Sequence, residues 1–488
     1  MIMSQEQLIL KGRGQFEKLL ALAQSGQARS LNEVEQEFLD GLLGLGRSLL
    51  QIKVAAAGTG DVGPTLTLEG RTLRRLGELH DRRYVSIFGE LAIPRHVYGT
   101  RETKKHEVVP LDAKLNLPES DYSYLLQKWD QSFCVKSSFK EANAGIEQIL
   151  GLSQSVRTLE QMNRHMADSA ESFRLAQPAP PMVEEGSILV LTGDCKGVPM
   201  RRPAGEPAPK GRLGPGQKPC KKQMAAVGGV YTIEPFVRTA GDVVDEVMHE
   251  KAQERRPKPK NKQLRAELTR EVEGKEVNGK DTIFQWFAEQ TRLRNAGTNK
   301  PVVCVMDGER ALWNKLSTFL MVSVVCILDI FHVLERLWQA AHCFFPENSP
   351  EAKAFVTERL RRILCGEVGY VIGGLRQMGT KHNLKGSKKR QLAGALRYLE
   401  NHRKFMRYDE YLAAGYPIGS GVAEGACRHL VKDRMELTGM RWRVEGAQAM
   451  LQLRAIHVND QWEEFSQHRV EAENLRLYPY AESLRLAA

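Results

Sequence analysis

Three acidic residues have the types and the sequence neighbours that a catalytic metal site needs. Asp194 ends the apolar run 187–193, Asp307 ends a second apolar run, 301–306, and Glu424 lies at the start of a strongly helical stretch. A carboxylate at the carboxyl end of a strand points into the crevice where open α/β sheets bind ligands. Two such carboxylates and one on a later helix can hold two Mg²⁺ ions. This arrangement activates a nucleophile and stabilises the leaving oxygen in phosphodiester chemistry.

Each acid alone also has a simpler interpretation. A single Asp after a strand is more often a turn residue or a helix N-cap. Glu424 precedes several cations, so an ion pair is its ordinary role. More than a hundred residues separate each acid from the next, so the intervals do not choose between these alternatives.

Asp329 and His332 follow a further apolar run, residues 322–328. A spacing of three puts both side chains on one face of the helix expected to begin there. Asp329 could simply cap that helix. We favour a role in which the pair orients a metal ligand or the scissile phosphate. Zinc is not expected, because no nearby thiols complete its ligand set.

Cations and small residues surround Glu424. A run of small residues, 419–421, would let a DNA backbone come close, and five basic side chains beyond it could contact phosphates: Arg428, His429, Lys432, Arg441 and Arg443. Trp442 between the last two is either a core residue or a surface on which a base stacks, and the core is favoured.

The composition indicates a soluble globular protein with a polyanionic partner. The net charge is +11 over 488 residues and the pI is near 9.2, which favours DNA, although anionic membranes attract the same charge. No apolar run reaches the length of a membrane span, and residues 1–6 lack the features of a signal peptide, so a cytoplasmic location is expected. The eight cysteines form no Cys-x-x-Cys pair, which argues against a structural zinc site and a disulfide framework.

The region 1–178 is predicted to be mainly helical and to bind DNA. A capping box at Ser30 and Glu33 begins one helix, and Gly89 is expected to turn a short hairpin over 84–98. Residues 137–173 predict two amphipathic helices. A helix-turn-helix would place Arg157 and Arg164 in a DNA groove, whereas an ordinary helical hairpin would leave them on a solvated face.

The periodicity changes after a Pro-rich linker at 177–181. Runs at 187–193, 229–238, 301–306 and 322–328 predict strands, which makes 179–330 the first part of an α/β core. Two basic, Pro-rich insertions interrupt it, 201–222 with Lys210 and Arg212, and 251–262; they are either solvated surface loops or phosphate contacts. A helical insertion follows at 331–415, then a core helix with Glu424 within 416–470, and a C-terminal tail at 471–488.

Four blocks of the chain resemble the ISKra-type insertion-sequence transposases. They are Asp194-Cys-Lys-Gly-Val-Pro-Met200, Val305-Met-Asp-Gly-Glu309, Asp329-Ile-Phe-His-Val-Leu-Glu335 and Tyr416-Pro-Ile-Gly-Ser-Gly-Val-Ala-Glu-Gly-Ala-Cys-Arg-His429. The similarity covers about residues 185–470. It implies a DDE transposase with an RNase H-like core that uses two Mg²⁺ ions, with Mn²⁺ as a substitute. Asp194, Asp307 and Glu424 become the catalytic triad, and Asp329 and His332 match an accessory Asp-x-x-His.

The same resemblance implies partners and a reaction. The N-terminal region would bind the terminal inverted repeats, the core would cleave the element ends, and the freed 3′-hydroxyl would attack target DNA. A homo-oligomer in the synaptic complex and a bacterial, nucleoid-associated location are implied, with no membrane partner. A structure-specific nuclease on the same fold and an inactive DNA-binding regulator are the alternatives.

Two positions depart from the family pattern. Cys195 stands where the family usually has Gly, which predicts a more crowded site. No paired cysteines follow the predicted N-terminal hairpin, so the helical hairpin rather than a zinc module is expected to recognise the ends.

Overall fold

The computed structural model describes residues 4–26, 29–68, 70–100, 108–202, 221–248, 256–482 and 484. The chain forms two compact units. The first consists of Met1–Leu175 together with Gln461–Ala488, and the second is the continuous segment Ala176–Asp460. Among the residues described, no helix combines the length and the apolar character that crossing a bilayer requires.

Helices and strands are numbered here in chain order. The helices are α1 (Gln5–Gln24), α2 (Leu31–Ala57), α3 (Pro110–Leu115), α4 (Tyr124–Cys134), α5 (Phe139–Leu150), α6 (Val156–Ala167), α7 (Ala170–Ala176), α8 (Ala240–Val247), α9 (Gly279–Arg294), α10 (Arg310–Phe319), α11 (Ile330–Ala341), α12 (Pro350–Leu364), α13 (Val368–Lys381), α14 (Gly386–His402), α15 (Tyr408–Ala413), α16 (Gly421–Ala426), α17 (Asp433–Met435), α18 (Val444–Val458) and α19 (Trp462–Leu477). The strands are β1 (Thr65–Leu68), β2 (Arg71–Ser86), β3 (Gly89–Gly99), β4 (Ile188–Pro199), β5 (Lys222–Ile233), β6 (Lys260–Leu268), β7 (Arg270–Val272), β8 (Lys275–Val277), β9 (Val302–Met306) and β10 (Val324–Leu328).

The first unit combines helices with a small antiparallel sheet. Ser30 and Glu33 form the predicted capping box at the start of α2. The predicted hairpin is also present, with Gly89 in the left-handed region (φ 108°), but its strands are longer than expected and β1 adds a third strand. The early part of β2 is rich in arginine and largely exposed, so it lacks the apolar alternation that reveals a strand in the sequence.

The predicted pair of helices within 137–173 is present as α5 and α6. Ser138 and Glu141 form a capping box on α5, Gly151 ends it in the left-handed conformation, and Ser155 caps α6. A buried polar network joins α4 to this pair. Gln154 Nε2 donates to both carboxylate oxygens of Asp130 at 2.9 and 2.8 Å, and further amide hydrogen bonds involve Gln131 and Asn163.

The last helix, α19, belongs to the first unit rather than to a separate tail. The sequence predicts a separate tail at 471–488, whereas α19 extends through residue 477 and buries Phe465, Arg469 and Glu473. Glu473 Oε1 accepts a hydrogen bond from the backbone N–H of Glu119 at 2.9 Å. The pattern of charged residues along α19 hides this in the sequence, because its buried face includes an Arg–Glu pair instead of apolar side chains alone.

The second unit is built on a mixed five-stranded sheet, as expected for an α/β core. The strand order is β10-β9-β4-β5-β6, in which β10, β9 and β4 are parallel and β4, β5 and β6 are antiparallel. All four predicted strands exist. However, β5 begins at Lys222, earlier than the predicted run 229–238, and β6 was not predicted because it begins inside the basic segment 251–262.

Both faces of this sheet are covered. Alternate residues of β4 point to opposite sides, so that Val190 belongs to one core and Leu191 to the other. The first core contains side chains from α8 and from α11 through α15, and the second contains side chains from α9 and α10. The predicted helical insertion 331–415 therefore shares a core with the sheet. This double burial explains why β4, β9 and β10 are continuous apolar runs in the sequence.

Candidate active site

Three aspartates lie side by side at one edge of the sheet. Gly193 in β4 pairs with Met306 in β9, and Met306 pairs with Leu328 in β10. The next residues along the three strands are Asp194, Asp307 and Asp329. Because these strands are parallel and share this register, their following residues emerge at the same edge.

Asp194 is not at a strand end, in contrast to the expectation from the sequence. Strand β4 continues to Pro199 through its antiparallel pairing with β5, and only the pairing with β9 stops at Gly193. The Asp194 carboxylate is half-buried and accepts a hydrogen bond from the backbone N–H of Cys195 at 2.6 Å. The thiol of Cys427 donates to the other oxygen, Oδ2, at 3.3 Å. Asp194 therefore lies where the β4–β9 ladder ends, within an uninterrupted strand.

The side chain of Cys195 does not point toward the aspartates. Successive residues of a strand alternate between faces, and Cys195 packs against the core that contains α9 and α10. Burial, followed by the charge of Glu309, raises the pKa of the Cys195 thiol to about 12. The expected crowding of Asp194 by this cysteine is thus not found.

Asp307 follows β9 directly and is fixed by the turn into α10. Its Oδ1 accepts a hydrogen bond from the Glu309 backbone N–H at 2.9 Å, and its carbonyl oxygen accepts from Trp313 Nε1 at 2.8 Å. Burial raises the pKa of Asp307, the nearby charge of Asp194 raises it further, and the bond from Glu309 offsets part of this. The two aspartates therefore repel each other in a partly dry site.

Asp329 is fully buried and ties two segments together. It caps α11, as one interpretation of the sequence predicted, because its Oδ1 accepts from the Phe331 backbone N–H at 2.9 Å. Its Oδ2 accepts from the backbone N–H of Ser420 at 3.2 Å and from the Ser420 hydroxyl. The carbonyl of Ser420 in turn accepts from the Glu424 backbone N–H at 3.0 Å. Asp329 therefore fixes the start of the helix that carries Glu424.

Glu424 lies on α16, which packs against β4 and β5. The small Gly229 of β5 permits this approach, since a Cβ there would lie 3.2 Å from Val422 Cγ1. Directly after α16 the backbone forms a π-helical segment, Cys427–Lys432. π-Helical turns are rare and occur frequently at functional sites, and no pattern in the sequence predicts this one.

The charge around Glu424 links it to the aspartates. Glu424 is exposed, yet partial burial raises its pKa, and the charges of Asp329 and then Asp194 raise it further, while His332 acts in the opposite direction. The charges of Asp329 and Asp194 therefore raise the pKa of Glu424, as its partial burial does. Asp194 thus interacts electrostatically with both Asp307 and Glu424.

The donor atoms fit divalent cations. Asp329, His332 and Glu424 each offer one ligand atom, and these atoms all lie within 4.8 Å of one another. Asp194 and Asp307 are joined to this group through the register and the charge interactions just described. Carboxylates brought together in this way are the hard oxygen donors that Mg²⁺ prefers, and a bound cation would relieve their mutual repulsion.

Tyr398 of α14 is a neighbour that sequence reasoning missed. A Cβ on Gly308 would lie 2.5 Å from the Tyr398 ring, so the glycine allows the ring to pack beside Asp307. Burial and then the charge of Asp307 raise the pKa of Tyr398. The guanidinium of Arg336 lies 4.7 Å from the centre of the Tyr398 ring. No motif marks Tyr398, because only the packing of α14 on the sheet brings it here.

The predicted DNA-binding residues that the structure describes fall into three groups. Arg428, His429 and Lys432 are exposed on the π-helical segment, and Arg428 and His429 both lie near Asp433. Arg441 and Arg443 are exposed on either side of Trp442, whose buried indole donates to the Met435 carbonyl at 3.0 Å, as the core interpretation predicted. Arg157 and Arg164 are exposed on α6 of the first unit, opposite the buried Leu159, Met162 and Met166.

The basic insertions lie largely outside the described residues, and Lys210 and Arg212 are among the residues not described. The two described ends of the 201–222 segment line a cleft of about 730 Å³ whose basic side chains are Arg201, Arg202, Lys221, Lys222 and Arg443. Positive charge is therefore concentrated where this segment leaves the sheet.

No model of a known protein family matches this chain, and a search of curated proteins finds no significant match.

Proposed function

We propose that this chain is a DDE transposase of the ISKra type with an RNase H-like catalytic core. One observation carries the proposal: Asp194 and Asp307 follow register-paired residues of adjacent parallel strands, and the charge of Asp194 raises the pKa of both Asp307 and Glu424. Each of these acids is more than a hundred residues from the next in the sequence, and a shared metal site would explain why their charges interact.

The sheet supports the proposed core. Three consecutive strands, β4, β5 and β6, form an antiparallel meander, and β9 and β10 add in parallel beside the first of them. Helices cover both faces, Asp307 and Asp329 follow the carboxyl ends of β9 and β10, and Asp194 lies beside them within β4. This strand order and the positions of the acids support the proposed RNase H-like core.

Different residues of the chain would hold the metal ions, position the acids and bind the DNA. Asp194, Asp307 and Glu424 would hold the two ions, which when bound supply an activated nucleophile and stabilise the leaving oxygen. Asp329 positions the helix of Glu424. The exposed cations Arg428, Lys432, Arg441 and Arg443 would bind the phosphates on either side of the scissile bond. The exposed face of α6, with Arg157 and Arg164, would bind the terminal repeats.

The proposal is tested by removing each acid. We expect Asp194→Asn, Asp307→Asn and Glu424→Gln each to abolish Mg²⁺-dependent cleavage of element-end DNA while binding of the same DNA is retained. Cleavage is measured on labelled ends in a gel assay. Glu351→Gln changes an exposed carboxylate on α12, outside the site, and is expected to cleave normally. A wild-type cleavage rate in any of the three variants would remove that residue from the triad.

A second assay separates the transposase from its alternatives. With a supercoiled target present, a transposase joins the cut ends to the target, which requires the same three acids. Cleavage without joining would identify a structure-specific nuclease. Tight DNA binding with neither reaction would identify a regulator without catalysis.

A further inference from the structure

One group of possible metal-binding atoms in the second unit contains a histidine. Ligand atoms of Asp329, His332 and Glu424 lie within 4.8 Å of one another. The side chain of His332 is 27% exposed, and Glu424 is exposed, so both can be reached from solvent. A nitrogen donor therefore stands beside a carboxylate of the proposed triad.

The three members are not equally free to bind an ion. Asp329 is 0% exposed, and both of its oxygens already accept hydrogen bonds, one from Phe331 and the other from Ser420. Through these bonds it fixes the first turn of α11, which carries His332, and the segment before α16, which carries Glu424. Asp329 thus sets the distance between the other two. His332 and Glu424 remain as the ligands.

A carboxylate lies next to one of the two ring nitrogens of His332. Its Nδ1 faces Glu335 Oε2 at 3.4 Å. Histidines that bind metals usually direct the second ring nitrogen to a carboxylate, which fixes the tautomer and the orientation of the ring. A proton on Nδ1 directed at Glu335 would leave the lone pair of Nε2 for an ion.

We propose that the two metal positions of the site have unlike donor sets, one with oxygen ligands alone from Asp194 and Asp307, and one in which His332 Nε2 joins Glu424. The proposal rests on the proposed function and assigns His332 as a metal ligand rather than an orienting residue. Imidazole suits transition-metal ions, whereas Mg²⁺ takes oxygen ligands almost alone. The position shared by His332 and Glu424 should therefore prefer Mn²⁺ to Mg²⁺.

The test observes the nitrogen directly, without measuring activity. The full chain is loaded with two equivalents of Mn²⁺ alone, and electron spin echo spectroscopy records modulation by ¹⁴N of a directly bound imidazole. We expect ¹⁴N modulation in the wild-type chain and its loss in His332→Gln. His382→Gln, which changes an exposed histidine at the end of α13, should keep it. Glu335→Gln should keep the modulation but weaken Mn²⁺ binding about tenfold.

The outcomes distinguish this inference from the proposed function. One contrary outcome is that the wild-type chain binds Mn²⁺ without ¹⁴N modulation and that Asp194→Asn no longer binds the ion. This result would overturn the role of His332 and leave the triad intact. Modulation of unchanged amplitude in His332→Gln would place the nitrogen elsewhere and also overturn it. Circular dichroism checks that His332→Gln is folded; if it is not, Glu424→Gln serves instead, and it should lower the amplitude of the ¹⁴N signal.

Discussion

Gly308 shows how a single residue type can govern the geometry of the candidate site. It follows Asp307, and a Cβ at this position would meet the Tyr398 ring at 2.5 Å and its hydroxyl oxygen at 2.6 Å. The Tyr398 ring also lies beside the Arg336 guanidinium and the His402 ring, so a shift of the ring away from Gly308 would disturb those contacts. The glycine is therefore required by close packing rather than by a special backbone angle.

We predict that Gly308→Ala lowers both stability and cleavage. Overpacking of this kind costs typically about 1–3 kcal/mol, and the displaced turn should reduce cleavage by an order of magnitude. Thermal unfolding and the end-cleavage assay measure the two effects. Gly394→Ala is the matched control, since it lies on the same helix as Tyr398 and a Cβ there meets nothing within 4 Å. Equal effects in the two variants would show that the packing of Gly308 against Tyr398 is unimportant.

At the scale of elements, a buried acid joins α4 to the turn between α5 and α6. Burial raises the pKa of Asp130 to about 7, although the hydrogen bonds from Gln154 lower it in part. In an unfolded chain the pKa of an Asp is about 3.9. Between these values the folded state binds the proton more tightly, so stability falls as the pH rises from about 4 to 7 and stays low above that window.

We therefore predict that Asp130→Asn makes the first unit more stable at pH 8 than the wild type, by up to about 4 kcal/mol, with a smaller difference at pH 5. Urea unfolding at the two pH values measures this. Glu160→Gln, an exposed change on α6, should not alter the pH dependence. A wild-type pH dependence in Asp130→Asn would show that Asp130 is ionised in the folded chain throughout this range.

The elements also show what the sequence could predict. Strands β9 and β10 are predicted nearly to the residue, because burial on both faces makes them uninterrupted apolar runs. Strand β6 is not, because it starts with Lys260, Asn261 and Lys262. The alignment of the three aspartates depends on the strand order and register, which are set by long-range pairing and leave no local pattern. The Asp329–Ser420 bond joins residues 91 positions apart and is hidden in the sequence for the same reason.

At the scale of the whole molecule, positive charge should determine how DNA binding responds to salt. Removing one cation that binds a phosphate should reduce the slope of log K against log salt by roughly 0.9. We predict that Arg441→Gln together with Arg443→Gln flattens this slope by about 1 to 2, whatever the DNA sequence. Fluorescence anisotropy over a salt series measures it. Arg376→Gln, an exposed change on α13, is the control. An unchanged slope in the double variant would remove these arginines from the interface.

The first unit takes its last helix from beyond the second unit in the sequence. A ribosome therefore completes residues 176–460 before it makes α19, which at usual synthesis rates takes about 15 to 60 s. During that interval the nascent N-terminal segment lacks the Phe465 ring that packs 5.5 Å from Phe173, and the Arg469 that donates to Gln127. Phe173 lacks this packing partner during that time, and chaperones could bind the apolar surface that Phe465 later covers. A translation product that stops at Asp460 would contain the whole second unit but would lack α19, the last helix of the first unit.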